Sequence, residues 1–126
     1  MKSKKILIID DDSSLREMCR LQLEQIGFSV MESDSVEDGL TKMVERNLDL
    51  VILDLCMTNE PFDGTSFLAL AKKMKQLDFI VPPIIVMSAL TDKNVVNYVL
   101  DMGAKGYLRK PYNVEVLDQM VSDYIS

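Results

Sequence analysis

Asp49-Leu50-Val51-Ile52-Leu53-Asp54-Leu55-Cys56-Met57 is an apolar run that ends in a carboxylate. Val51, Ile52 and Leu53 follow one another with no polar alternation, the pattern of a strand buried on both faces in a parallel sheet. Asp54 stands where that strand stops. In open α/β sheets the carboxyl ends of the strands border the ligand crevice, so a charged side chain there is placed for chemistry. An Asp at a loop start also caps turns, and the rest of the chain decides between the two readings.

At 126 residues the chain makes one domain with no room for a second. A chain of this size buries roughly 65–70% of its unfolded surface, enough for a core. The net charge of −6 argues against direct binding to nucleic acid or an anionic membrane, both of which rely on basic surface. Cys19 and Cys56 fall in different expected elements and are too few for a disulfide framework, which points to free thiols in a reducing cytosol. The basic N-terminus is followed by only four apolar residues, so it is no signal peptide, and no stretch approaches the roughly 20 apolar residues of a membrane span. The absence of histidine excludes His-based zinc sites, His-activated nucleophiles and a histidine general base.

Ile6-Leu7-Ile8-Ile9 is a second buried strand, and it ends in Asp10-Asp11-Asp12. Ser14 and Glu17 have the spacing of a capping box, and Leu15, Met18, Cys19, Leu23 and Ile26 recur at helical spacing until Gly27. Phe28 to Ser33 reads as a short strand. Ser35 and Asp38 open a helix with Val36, Leu40, Met43 and Val44 on one face, running to about Arg46. Thr58 to Gly64 gathers turn formers into the longest loop, before a helix from about Thr65 to Gln76. Pro82-Pro83 forces an extended entry to a fourth strand, Ile84 to Met87, that ends in Ser88. Thr91 or Asp92 caps a helix carrying Val95, Val96, Val99 and Leu100, which Gly103 ends. Lys105 to Leu108 is a brief fifth strand before Arg109-Lys110-Pro111. Asn113 caps a last helix with Leu117, Met120, Val121 and Tyr124 facing inward.

Five alternations of strand and helix with short links call for an α/β fold: a five-stranded parallel sheet with helices on both faces. The first and third strands are the most apolar and therefore central, and the order 2-1-3-4-5 satisfies this with a switch point between them.

That order brings Asp10 to Asp12, Asp54, Ser88 and Lys110 to neighbouring strand ends. Clustered carboxylates repel one another unless a cation shares them, and oxygen-only ligands suit Mg²⁺ or Mn²⁺. A cation, an ammonium and a hydroxyl together can hold a phosphoryl oxygen shell. No G-x-G-x-x-G follows the first strand, which disfavours a dinucleotide site. Three Asp residues would repel the phosphate of a flavin. A phosphatase of the haloacid dehalogenase type needs an acid two positions beyond its Asp nucleophile, where this chain has Cys56. An Asp that accepts a phosphoryl group remains.

These residues resemble the receiver domains of two-component response regulators. The likeness lies in Ile6-Leu7-Ile8-Ile9-Asp10-Asp11-Asp12, Asp49 to Asp54, Met87-Ser88-Ala89, and Gly103-Ala104-Lys105-Gly106-Tyr107-Leu108-Arg109-Lys110-Pro111, and it covers essentially the whole chain, 1–126. It implies a flavodoxin-like doubly wound fold and a signalling domain, similar to single-domain chemotaxis regulators, that is not an independent enzyme. By position, Asp54 matches the phosphoacceptor, and Asp10 and Asp11 the acidic pair at a Mg²⁺ (or Mn²⁺) bound by Asp11, Asp54 and the carbonyl of Cys56, with Asp10 acting mainly through water. Ser88 matches the switch hydroxyl, Lys110 the phosphate-contacting lysine, and Tyr107 the aromatic whose rotamer follows phosphorylation. A cis Lys110-Pro111 bond is implied as well. The implied partners are a sensor histidine kinase or phosphotransfer protein, and a downstream protein on the face of the fourth helix, fifth strand and last helix.

The segment after Asp54 departs from the family. Receivers commonly have Met-Pro-x-Met-Asp-Gly there, whereas this chain has Met57-Thr58-Asn59-Glu60-Pro61-Phe62-Asp63-Gly64, two residues longer. Extra loop length costs only about 0.6 kcal/mol per doubling, so the fold tolerates it. The alternative function is a degenerate receiver, a protein-interaction module that never takes phosphate. With no effector domain after the last helix, the chain is a single-domain regulator or a receiver cut from a longer protein.

Overall fold

The computed structural model describes residues 3–56 and 63–125. Five parallel strands, β1 (Lys5–Ile9), β2 (Ser29–Ser33), β3 (Leu50–Asp54), β4 (Ile84–Ser88) and β5 (Gly106–Arg109), pair in the order β2-β1-β3-β4-β5. Five helices connect and follow them: α1 (Ser13–Gln25), α2 (Val36–Glu45), α3 (Asp63–Gln76), α4 (Lys93–Asp101) and α5 (Val114–Tyr124).

The continuous apolar runs are explained by what covers each side of the sheet. Ile6, Ile8, Leu50, Ile52, Ile85 and Met87 face one side and pack with Cys19 and Leu23 of α1 and Leu117 and Val121 of α5. Leu7, Ile9, Val51, Leu53 and Val86 face the other side, against α2, α3 and α4 through residues such as Met43, Phe67, Ala71 and Val99. Successive strand residues point to opposite faces, so a strand covered on both must be apolar throughout. The edge strands β2 and β5 are less buried, as their mixed composition anticipates.

Several local expectations need correction. Asp12, not Ser14, caps α1: its carboxylate accepts hydrogen bonds from the backbone N–H groups of Ser14 and Leu15, so no Ser14 capping box forms. A side-chain carboxylate one residue before the helix captures the free donors first. Met18, Val44 and Leu100 fall outside the covered stripes and are 62%, 67% and 41% exposed. A helix lying on a sheet buries one apolar stripe, and these three side chains stand at or beyond its edge. Tyr124 is likewise exposed at its ring while its hydroxyl donates to the Lys105 carbonyl. The β5 strand runs one residue later than expected, and α3 begins at Asp63 rather than Thr65. Asp92 is the α4 cap, Ser35 and Asn113 cap α2 and α5, and Gly27 and Gly103 close α1 and α4 at positive φ.

Candidate functional site

The site is assembled by strand ends. Asp10 follows β1, where its N–H donates to the Ser33 carbonyl at 3.0 Å and prolongs the pairing of β1 with β2. Its Oδ1 accepts from the N–H of Asp12 at 2.9 Å, which fixes the turn into α1 and leaves Oδ2 directed at Lys110. Asp54 ends β3, and its Oδ1 accepts from the N–H of Cys56 at 3.3 Å. Asp10 and Asp54 are 1% and 3% exposed, a burial that carboxylates rarely tolerate unpaired.

Lys110 follows β5. Its N–H donates to the Ser88 carbonyl at 2.8 Å, and the Lys110-Pro111 bond is cis, as the resemblance implies. The ammonium donates to Asp10 Oδ2 at 2.9 Å and lies 3.3 Å from Asp54 Oδ1. Asp10, Asp11 and Asp54 each bring a carboxylate oxygen within 4.8 Å of the others. Asp10 and Asp54 thus share one ammonium, with the Asp11 carboxylate close beside them. Burial, and then the charge of Asp10, push the Asp54 carboxyl up to about 6, against the opposing pull of Lys110. Burial depresses the Lys110 ammonium, but its two carboxylates outweigh this and raise it. The cluster is therefore short of positive charge. A hard divalent cation with oxygen ligands fits that deficit and donor set. Asp12 is committed to its cap and takes no part in the cluster.

Ser88 ends β4, and its Oγ accepts from the Leu90 N–H at 3.1 Å. Burial, and then the charge of Asp54, raise the Cys56 thiol, opposed by its hydrogen bond with Ser88. Tyr107 lies across the turn after β4, and its hydroxyl donates to the Leu90 carbonyl at 2.6 Å. Asp10, Asp11, Asp54, Ser88 and Lys110 thus lie at neighbouring strand ends, whereas Met57 to Phe62, including Asn59 and Glu60, fall outside the described residues.

Two supporting residues escaped the sequence reading. Arg16 of α1 donates from Nη1 to the Asp10 carbonyl and from Nε to Glu32 Oε1 at 3.1 Å, while Arg20 holds the other Glu32 oxygen at 2.8 Å. The available signal was an arginine one turn into the helix after the acidic triplet. Gly64 is the second: a Cβ there would sit 2.5 Å from the Leu55 carbonyl oxygen and 2.8 Å from that of Asp54. The start of α3 reaches the end of β3 only without a side chain at this position. Its sequence signal, a glycine after a run of turn formers, was read as loop chemistry alone.

The family described as response regulator receiver domain matches residues 6–122. The chain is 32% identical over 114 residues to the phosphate regulon transcriptional regulatory protein PhoB of Pseudomonas aeruginosa, covering 90% of this chain and 48% of that protein. It is 33% identical to the KDP operon transcriptional regulatory protein KdpE of Escherichia coli over 86% of this chain and 45% of that one. The chain thus spans about half the length of the curated relatives it matches. Among solved structures, a response regulator receiver domain protein of Clostridium thermocellum superposes with a TM-score of 0.83 at 28% identity, covering 97% of this chain and 94% of its own. The chemotaxis protein CheY4 of Vibrio cholerae superposes at 0.85 and 26% identity, covering 98% and 100%. With the acidic cluster at the strand ends and a family match over nearly its whole length, this chain belongs to the receiver domains of the two-component response regulators.

Proposed function

We propose that Asp54 is the phosphoacceptor of a two-component signalling protein and that Asp10, Asp11, Asp54 and the backbone carbonyl of Cys56 form its Mg²⁺ or Mn²⁺ site. The supporting observation is the cluster of three carboxylates, Asp10, Asp11 and Asp54, in which the buried pair Asp10 and Asp54 shares the ammonium of Lys110. Bound there, the cation would offset the carboxylate charge that otherwise repels an incoming phosphoryl group.

The chain's own residues do the rest. An Asp54 carboxylate oxygen attacks the phosphorus of the donor, the new P–O bond forms as the bond to the leaving group breaks, and that group departs with the bonding pair. Lys110, already within 3.3 Å of Asp54, pairs with the phosphoryl oxygens and draws on its link to Asp10 to stay in place. Ser88 exchanges its present partners for a phosphoryl oxygen, which pulls on the turn that Leu90 shares with Tyr107. The phosphate therefore biases a two-state element, and the face of α4, β5 and α5 is the expected docking site for a downstream protein. The phosphoryl source is a sensor histidine kinase or a phosphotransfer protein of the cytoplasm. In this reading the protein acts as a phosphoacceptor in signalling rather than as an independent enzyme.

Intact mass spectrometry with acetyl phosphate tests this reading. One added phosphoryl group is expected with Mg²⁺, and none with a chelator or in Asp54→Ala. Modification that persists in either control overturns the assignment. Absence of modification under every condition, with folding intact, favours the phosphate-independent interaction module.

A further inference from the structure

We propose that the groove between the C-terminal half of α3 and the turn from α4 to β5 docks an acidic amphipathic helix of a partner protein. This surface lies at the entry ends of β4 and β5, across the sheet from Asp54, and is distinct from the face of α4, β5 and α5. Its floor is apolar, made by Ala71, Val81, Pro82 and Met102. Its rim is cationic: Lys72, Lys75 and Lys105 all line the groove, and none of them takes part in a described ion pair.

The groove holds about 180 Å³. That is below the roughly 300–1,000 Å³ of small-molecule sites and suits a few inserted side chains. Apolar surface extends beyond it. The C-terminus of α3 is closed by hydrogen bonds from the N–H groups of Phe79 to the Met74 carbonyl and of Asp78 to the Lys75 carbonyl. Asp78 takes the left-handed conformation there, φ 68°. The chain that emerges presents Leu77, Phe79 and Ile80 at 62%, 59% and 99% exposure. Large apolar side chains grouped beside a groove mark an interaction site.

Charge selects the occupant. Residues 66–110 carry seven Lys and Arg against three Asp and no Glu, while the rest of the chain carries seven against seventeen acidic residues. A cationic rim attracts an acidic partner and repels the same rim of a second copy, while two whole copies, each of net charge −6, repel one another. Apolar anchors at i, i+3 and i+4 would enter the floor as flanking carboxylates meet the lysines. Nucleic acid is disfavoured by the net charge of −6, which surrounds the rim with acidic surface that repels a phosphate backbone.

The test uses the full chain and a fluorescently labelled helical peptide with Leu anchors on one face and Glu on its flanks. Binding is expected to move amide resonances of residues 71–75, Val81, Ile84 and residues 102–105. The Lys72→Glu, Lys75→Glu double variant should weaken the peptide at least tenfold, and Ile80→Ser severalfold, with thermal melts and Asp54 phosphorylation like the parent's. A peptide with Lys in place of Glu should not bind. Shifts confined to other faces, affinity indifferent to charge reversal, or capture of duplex DNA or anionic lipid vesicles in place of the acidic peptide each overturns the proposal.

Discussion

The hydroxyl of Tyr107 donates to the carbonyl of Leu90 at 2.6 Å, which fastens the ring to the turn that follows Ser88. This bond ties a half-buried side chain on β5 to the backbone that phosphorylation is proposed to pull. Tyr107→Phe removes it at a cost of about 1 kcal/mol or less, since the bond is solvent-exposed. In two-dimensional amide spectra the variant is expected to shift Leu90 and the first turn of α4 toward the positions of the phosphorylated parent. On phosphorylation of the parent, signals from Val95 to Val99 and Tyr107 should move together. Movement restricted to the neighbours of Asp54 would refute the coupling.

Asp54 makes a pH-dependent contribution of definite sign. Its carboxyl is pushed up to about 6 from an ordinary 3.8, so the fold disfavours its ionised form. Above pH 6 the penalty is fully present, and it fades as pH falls toward 4. Asp54→Asn should therefore stabilise the protein in chelator-containing buffer at neutral pH by about 1–3 kcal/mol, at roughly 1.4 kcal/mol per pH unit. Near pH 4 the gain should vanish. Added Mg²⁺ should raise the melting temperature of the parent more than that of the variant. Chemical denaturation at the two pH values measures this directly.

Most of the architecture was legible because it rests on local pattern. Ile6 to Ile9 and Val51 to Leu53 declare strands covered on both faces, and those strands fix where Asp10 and Asp54 must emerge. The identity of the α1 cap was not legible, since Asp12 and Ser14 both satisfy the local rule and the turn set by Asp10 decides between them. That same choice removed Asp12 from the acidic cluster, which spacing alone had left open. Arg16 on Asp10 and Gly64 against β3 are approaches between distant segments, and no periodicity encodes them.

The lifetime of the phosphorylated form should depend on Cys56 and Leu90, two residues beyond Asp54 and Ser88. Both line an apolar cavity of about 350 Å³ beside the end of β3. Hydrolysis needs a water held in line with the phosphorus, and a thiol is a weak hydrogen-bond partner while leucine offers none. Self-catalysed phosphate loss is expected to be slow. Cys56→Asn and Leu90→Glu should each accelerate it severalfold in a time course of phosphate release. A parent that decays as fast as the double variant would contradict this account.

The two thiols should separate cleanly by reactivity. Cys19 is fully buried between α1 and α5, and burial pushes its thiol up to about 12 despite a hydrogen bond with Tyr112. Cys56 is half-buried at the cavity wall. Because the thiolate is the reactive form, an alkylating reagent near neutral pH should label Cys56 slowly and leave Cys19 untouched until the protein unfolds. Peptide mapping of native and denatured samples reads the difference, with labelling of native Cys19 as the contrary result.

The sheet also works as a partition. Among the described residues its two apolar layers share no buried side chain: Cys19, Leu117 and Val121 belong to one, and Phe67, Ala71 and Val99 to the other. Substitutions on opposite sides meet only through the backbone of the strands, so their stability costs should sum with little cross-talk. The surface over α1 and α5 can then drift in sequence while the surface over α2, α3 and α4 keeps its own contacts, and the strand ends that carry Asp10, Asp54 and Lys110, anchored in both layers, hold still between them.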